Sequence, residues 1–69
     1  MVEVFKTNVT MADDARQVVR ELLMHFPEAR INIDLEDCDR VLRVENANID
    51  VGKTVTLVNV IGYQCEVLG

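Results

Sequence analysis

A chain of 69 residues, 49% of them hydrophobic, can build one small core and is too apolar to remain disordered. Its net charge of -5, with seven Lys and Arg scattered among twelve Asp and Glu, argues against the clustered basic surface that nucleic acid requires. No apolar run approaches the roughly 20 residues of a membrane-spanning helix, and Met1-Val-Glu-Val-Phe-Lys6 alternates where a signal peptide would run apolar. The expectation is one cytoplasmic domain over residues 1–69, without membrane insertion.

Met1 to Val9 has the period of a strand. Phe5, Thr7 and Val9 fall on one side, and Val4, Lys6 and Asn8 on the other. From Thr10 to Phe26 the period becomes helical: Ala12, Ala15, Val19, Leu22, Leu23 and Phe26 recur at spacings of three and four. Thr10 is placed as the N-cap, with Asp13 three residues on in a capping-box-like pattern. Asp13 and Asp14 set negative charge at the positive end of the helix dipole. Pro27 closes the segment by pushing the preceding residue out of the α region.

Glu28 to Asp37 alternates again. Ala29, Ile31, Ile33 and Leu35 oppose Arg30, Asn32, Asp34 and Glu36, which specifies register strongly. Asp37-Cys-Asp-Arg40 is turn-prone and leads into a third strand, Val41 to Glu45, with Leu42 and Val44 inward. Asn46 to Asn48 is a loop. Asp50 to Ile61 is ambiguous. Its β-branched run Thr54-Val-Thr-Leu-Val-Asn-Val-Ile61 favours a strand by propensity. A helix is preferred, because Asp50 can cap it, Val51, Val55, Val58 and Ile61 share a face, and Gly62 sits where a helix-ending glycine belongs. A second helix is also needed to cover the sheet. Tyr63 to Leu68 forms a last short strand.

Strand, helix, strand, strand, helix, strand is the ferredoxin-like α+β pattern, with two helices on one face of a four-stranded antiparallel sheet in order 4-1-3-2. That topology gathers the loop before the first helix, the hairpin at Cys38 and the turn at Gly62-Tyr63 at one end, with His25 at the other. Cys38 and Cys65 fall on opposite edge strands, so free thiols are expected, not a disulfide.

Phe26-Pro-Glu-Ala29, Ile31-Asn-Ile-Asp-Leu-Glu36 and Gly62-Tyr-Gln-Cys-Glu-Val67 resemble the Leu-Pro-Gly-Val, Val-x-Val-x-Leu-Glu and Gly-Tyr segments of the heavy-metal-associated domain. That is the fold of small copper chaperones and of the N-terminal modules of copper-transporting ATPases. The resemblance covers essentially the whole chain, without gaps through its first half. In that family the first helix follows a Gly-Met-x-Cys-x-x-Cys loop. Aligning on Pro27 puts Thr10 on the methionine and Ala12 and Ala15 on the two cysteines. Cu(I) requires soft ligands, and alanine supplies none. The resemblance therefore implies the scaffold without its metal site.

The remaining candidates are few. Met11 and Cys38 share the loop end and form an alternative soft-metal pair. Cys65 is placed inward as a structural thiol, and His25 as a partner of the helix C-terminus. The acidic set Asp34, Glu36, Asp37, Asp39 and Glu45 is spread over an open face and does not converge as a calcium site must. Gly52-Lys-Thr54 lacks the upstream glycine of a phosphate loop. No nucleophile, base and orienting group stand in a matching pattern.

The expectation is a non-catalytic binding or interaction module with no cofactor, engaging a protein partner or itself. Its surface is the end bearing Met11, Asp37, Cys38, Asp39, Arg40 and Tyr63, or an exposed sheet edge. The alternative is a carrier or sensor of copper or another soft metal through Cys38 and Met11, within one chain or across a dimer.

Overall fold

Alternation at the N-terminus becomes β1 (Val2–Thr7), and the elements that follow are α1 (Ala12–His25), β2 (Arg30–Asp34), β3 (Val41–Glu45), α2 (Val51–Ile61) and β4 (Cys65–Val67). The computed structural model describes residues 1–68. The strands form one sheet in the order β2-β3-β1-β4, which is 4-1-3-2 read from the other edge. Every neighbouring pair is antiparallel. This is the ferredoxin-like arrangement, and no helix among the described residues is long and apolar enough to cross a membrane.

Side-chain alternation directs Phe5 from β1 and Leu42 and Val44 from β3 into one core with Val9, Ala15, Val18, Leu22, Ala29 and Val58. Ile31 and Ile33 of β2 pack against this core from the sheet edge while remaining partly exposed. Among the described residues, Thr7 and Thr54 are the buried polar ones. Thr54 Oγ1 donates to the Asp50 carbonyl at 2.8 Å, so its burial leaves no orphaned hydroxyl.

The start of α1 differs from expectation. Met11, not Thr10, occupies the N-cap with extended backbone, and among the described residues no side chain caps the helix. The first helical bond runs from the Ala15 N–H to the Met11 carbonyl at 2.9 Å, which sets the boundary one residue later than the Thr10 signal implies. The buried stripe is also rotated. It runs through Ala15, Val18 and Leu22, while Ala12 is exposed.

β2 ends at Asp34, short of the expected Asp37. The Asp34 carboxylate accepts the Glu36 N–H at 3.0 Å and bends the chain out of the sheet. Cys38 consequently lies in the connecting turn, not on an edge strand. Both cysteines are free thiols.

α2 is helical despite its β-branched residues. Asp50 accepts the Lys53 N–H at 3.0 Å as N-cap. At the other end Gly62 adopts φ 117°, and the Tyr63 N–H returns to the Val58 carbonyl at 3.2 Å. The Lys53 ammonium stands 5.5 Å from the centre of the Phe26 ring and ties the start of α2 to the end of α1. Capping at both ends and burial of Thr54 and Val58 outweigh the strand propensity.

Two substitutions test this account by chemical denaturation. Leu22→Ala opens a cavity in the centre of the core and should cost about 2–5 kcal/mol. A Cβ at Gly62 meets nothing within 4 Å. Gly62→Ala should therefore cost roughly 1–2 kcal/mol through backbone conformation alone, and Gly62→Asn less.

Candidate functional site

The end of β1 organises the loop end of the molecule. The buried Thr7 hydroxyl donates to the Arg40 carbonyl at 2.6 Å, and the Thr7 N–H donates to the Asp39 carbonyl at 3.1 Å. The Val9 N–H donates back to the same hydroxyl oxygen at 3.3 Å. One residue on, the Asn8 side chain accepts the Gln64 N–H at 2.8 Å and fastens the approach to β4. The 8–11 loop, the 35–40 hairpin and the 62–64 turn are thus brought to one end, with His25 at the far end of α1.

Within the hairpin, Asp37 Oδ1 accepts the Asp39 N–H at 2.9 Å, and the Arg40 N–H closes the turn on the Asp37 carbonyl at 3.0 Å. Arg40 takes a positive φ of 48°, and its guanidinium donates to the Leu35 carbonyl. The arginine is therefore a structural clamp inside the turn. Asp39 faces Lys6 at 3.9 Å in an exposed pair, which contributes little to stability. Possible ligand atoms of Asp37, Cys38 and Asp39 lie within 4.8 Å of one another. Asp37 and Cys38 are exposed, and the Asp37 carboxylate already serves the turn.

Across the loop end, Tyr63 lies beside Asp14 in the first turn of α1. Loss of solvation, followed by the neighbouring carboxylate, raises its phenol above the ordinary value. This contact escaped the sequence reading, because residues 14 and 63 belong to no common motif. Met11 is 63% exposed, so the loop end presents a thioether, the Cys38 thiol and a carboxylate-rich turn to solvent.

A second feature has no counterpart in the sequence reading. Between α1 and the edge strand β2 runs an open groove of about 650 Å³. Its apolar wall is made by Val19, Leu23 and Met24 on one side and Ile31 and Ile33 on the other, with Arg16 and Arg20 beside it. The residues were visible as a helical stripe and an alternating strand. The gap between them was not, because it depends on how far α1 sits from the edge of the sheet.

No family model and no curated protein matches the chain. Among solved structures, the crystal structure of a gold-binding protein is similar in fold, with a TM-score of 0.82. The likeness covers 94% of this chain and 97% of that one at 17% sequence identity. It extends over the whole βαββαβ arrangement.

The two thiols should behave differently. Cys38 is exposed, whereas burial pushes the Cys65 thiol up to about 11. A disulfide reagent at neutral pH should modify Cys38 rapidly and Cys65 only after denaturant is added, with Cys38→Ser removing the fast phase.

The same burial has a pH consequence. A thiol raised in the folded state holds its proton longer there than in the unfolded chain. Its contribution is complete below the unfolded value near 9, and is lost as pH rises through about 11. The denaturation midpoint should fall over that window, and less steeply in Cys65→Ala.

Proposed function

We propose that this chain is a non-catalytic interaction module built on a heavy-metal-associated-like scaffold whose metal ligands have been replaced. The observation that carries the reading is the first turn of α1, where Ala12 and Ala15 stand at the positions of the two cysteines. Ala12 faces solvent, and Ala15 is buried in the core. Neither side chain can donate to a metal. Support against catalysis comes from the separation of titratable groups. His25 is at the end of α1 remote from Cys38 and Tyr63, so the groups beside these two are the carboxylates of Asp37, Asp39 and Asp14 and no imidazole joins them.

Two surfaces suit a protein partner. The loop end offers Met11, Asp37, Cys38, Asp39 and Tyr63 around the structural Arg40. The α1–β2 side offers an apolar groove beside a strand edge that pairs only with β3. A partner recovered by the wild type and lost with Met11→Glu locates the contact at the loop end. Loss with Arg20→Glu places it at the groove.

The second reading, a soft-metal carrier through Cys38 and Met11, draws on the metal named for the gold-binding structural neighbour. Cys38 supplies one soft thiolate, and its hairpin neighbours supply hard carboxylates that suit Cu(I) or Au(I) poorly. Anaerobic titration with Cu(I) against a chromophoric competitor separates the readings. The interaction module predicts no stoichiometric uptake by wild type or Cys38→Ser. One equivalent bound by wild type and none by Cys38→Ser would replace it with the metal carrier.

A further inference from the structure

β2 is a sheet edge, so the side facing away from β3 has backbone N–H and C=O groups without partners in the sheet. Its sequence is Arg30-Ile-Asn-Ile-Asp34. Turned antiparallel to itself about Asn32, this strand is complementary to its own copy. Arg30 then stands opposite Asp34 at both ends, and Ile31 opposite Ile33 on the helix-bearing face. Asn32 meets Asn32 at the centre. Both charges are available. Among the described residues neither Arg30 nor Asp34 belongs to an intrachain ion pair, and the nearby Glu45 faces Arg43 at 3.7 Å.

The other edge lacks this property. β4 is only Cys65-Glu66-Val67, and the same operation about Glu66 would set two carboxylates face to face. A register centred on Ile31 would set Arg30 opposite Asn32 and forgo both Arg30–Asp34 contacts. The self-complementary strand is also the one beside the apolar groove. Ile31 and Ile33 form one of its walls, and Met24 on the opposite wall is 70% exposed. A two-fold axis normal to the sheet keeps the helices of both copies on one side. The two grooves then meet across the new strand pair, and Ile31 and Ile33 lose their remaining exposure.

We infer that the occupant of the β2 edge is a second copy of this chain, forming a symmetric dimer with one continuous eight-stranded sheet centred on Asn32. This rests on the interaction-module reading and identifies its partner. Strand pairing supplies direction and register, the two Arg30–Asp34 contacts select the copy, and the joined grooves supply the apolar area that a five-residue strand cannot. The association works against the like net charge of -5 on each chain, so a reversible dimer is expected.

Sedimentation equilibrium over a concentration series tests it. The wild type should dimerise reversibly. Arg30→Asp or Asp34→Arg, which turns both opposed pairs into like charges, should weaken the dimer roughly tenfold or more. Arg30→Asp/Asp34→Arg together should recover it.

A monomeric wild type at every concentration overturns the proposal. So does a dimer indifferent to the single reversals, or a folded double variant that fails to recover. Since Asp34 also shapes the following turn, a second measurement covers failure of that variant to fold. In a Cys38→Ser/Cys65→Ala background, Asn32→Cys should oxidise to a covalent dimer much faster than Val60→Cys, whose native side chain is 79% exposed. Equal rates count against the two-fold at Asn32. The outcomes remain separable. Stoichiometric Cu(I) uptake removes the interaction-module reading whatever the oligomeric state, whereas a monomer that binds a partner lost with Arg20→Glu removes only the homodimer.

Discussion

The buried hydroxyl of Thr7 is where the loop end of this fold is joined. It donates to the hairpin through the Arg40 carbonyl and accepts from Val9, where the chain turns towards α1. Its backbone meanwhile pairs with Cys65 in the edge strand β4. A residue with no hydroxyl at this position would leave a part-buried carbonyl and a buried N–H with one partner fewer, and such groups are costly to abandon. The result is a loop end whose conformation is fixed from beneath. Met11, Cys38 and Tyr63 are held on a frame, although their side chains are exposed to different degrees.

Much of this frame was legible in the chain. Phe5, Thr7, Leu42 and Val44 announce their inward faces by strict alternation, and all four are buried. The choice of helix for residues 50–61 rested on the need to cover the sheet and on Gly62, with Asp50 a fitting cap. Those two residues do cap α2. Punctuation proved more informative than propensity, because a cap satisfies particular backbone groups whereas propensity is a small average preference.

The departures have equally particular causes. Thr10 has the composition of a cap, but capping requires a backbone position as well as an oxygen, and Met11 holds that position. Leu35 continues the alternation of β2 beyond the point where Asp34 turns the chain away. Val18 was overlooked because the apolar stripe was drawn from Ala12, and small residues mark a helix face weakly. The groove beside β2 is a distance between elements and leaves no trace in periodicity. The sequence reading brought the 8–11 loop, the hairpin and the 62–64 turn to one end, as the Thr7 and Asn8 hydrogen bonds do. It could not recognise that Arg40 is consumed by the hairpin, or that Asp14 stands beside Tyr63.

The capped helix α2 carries a consequence for the unfolded chain. Its residues 54–61, with two threonines, three valines and an isoleucine, have the composition of a strand and no charge. They remain helical because Asp50, Gly62 and the core hold them there. Released from those constraints, the same segment has the features of a cross-β former: β-branched, uncharged and free of proline. Loss of native structure would therefore expose a stretch able to pair with its counterpart in another molecule. For this protein, the helix keeps an aggregation-prone sequence out of circulation.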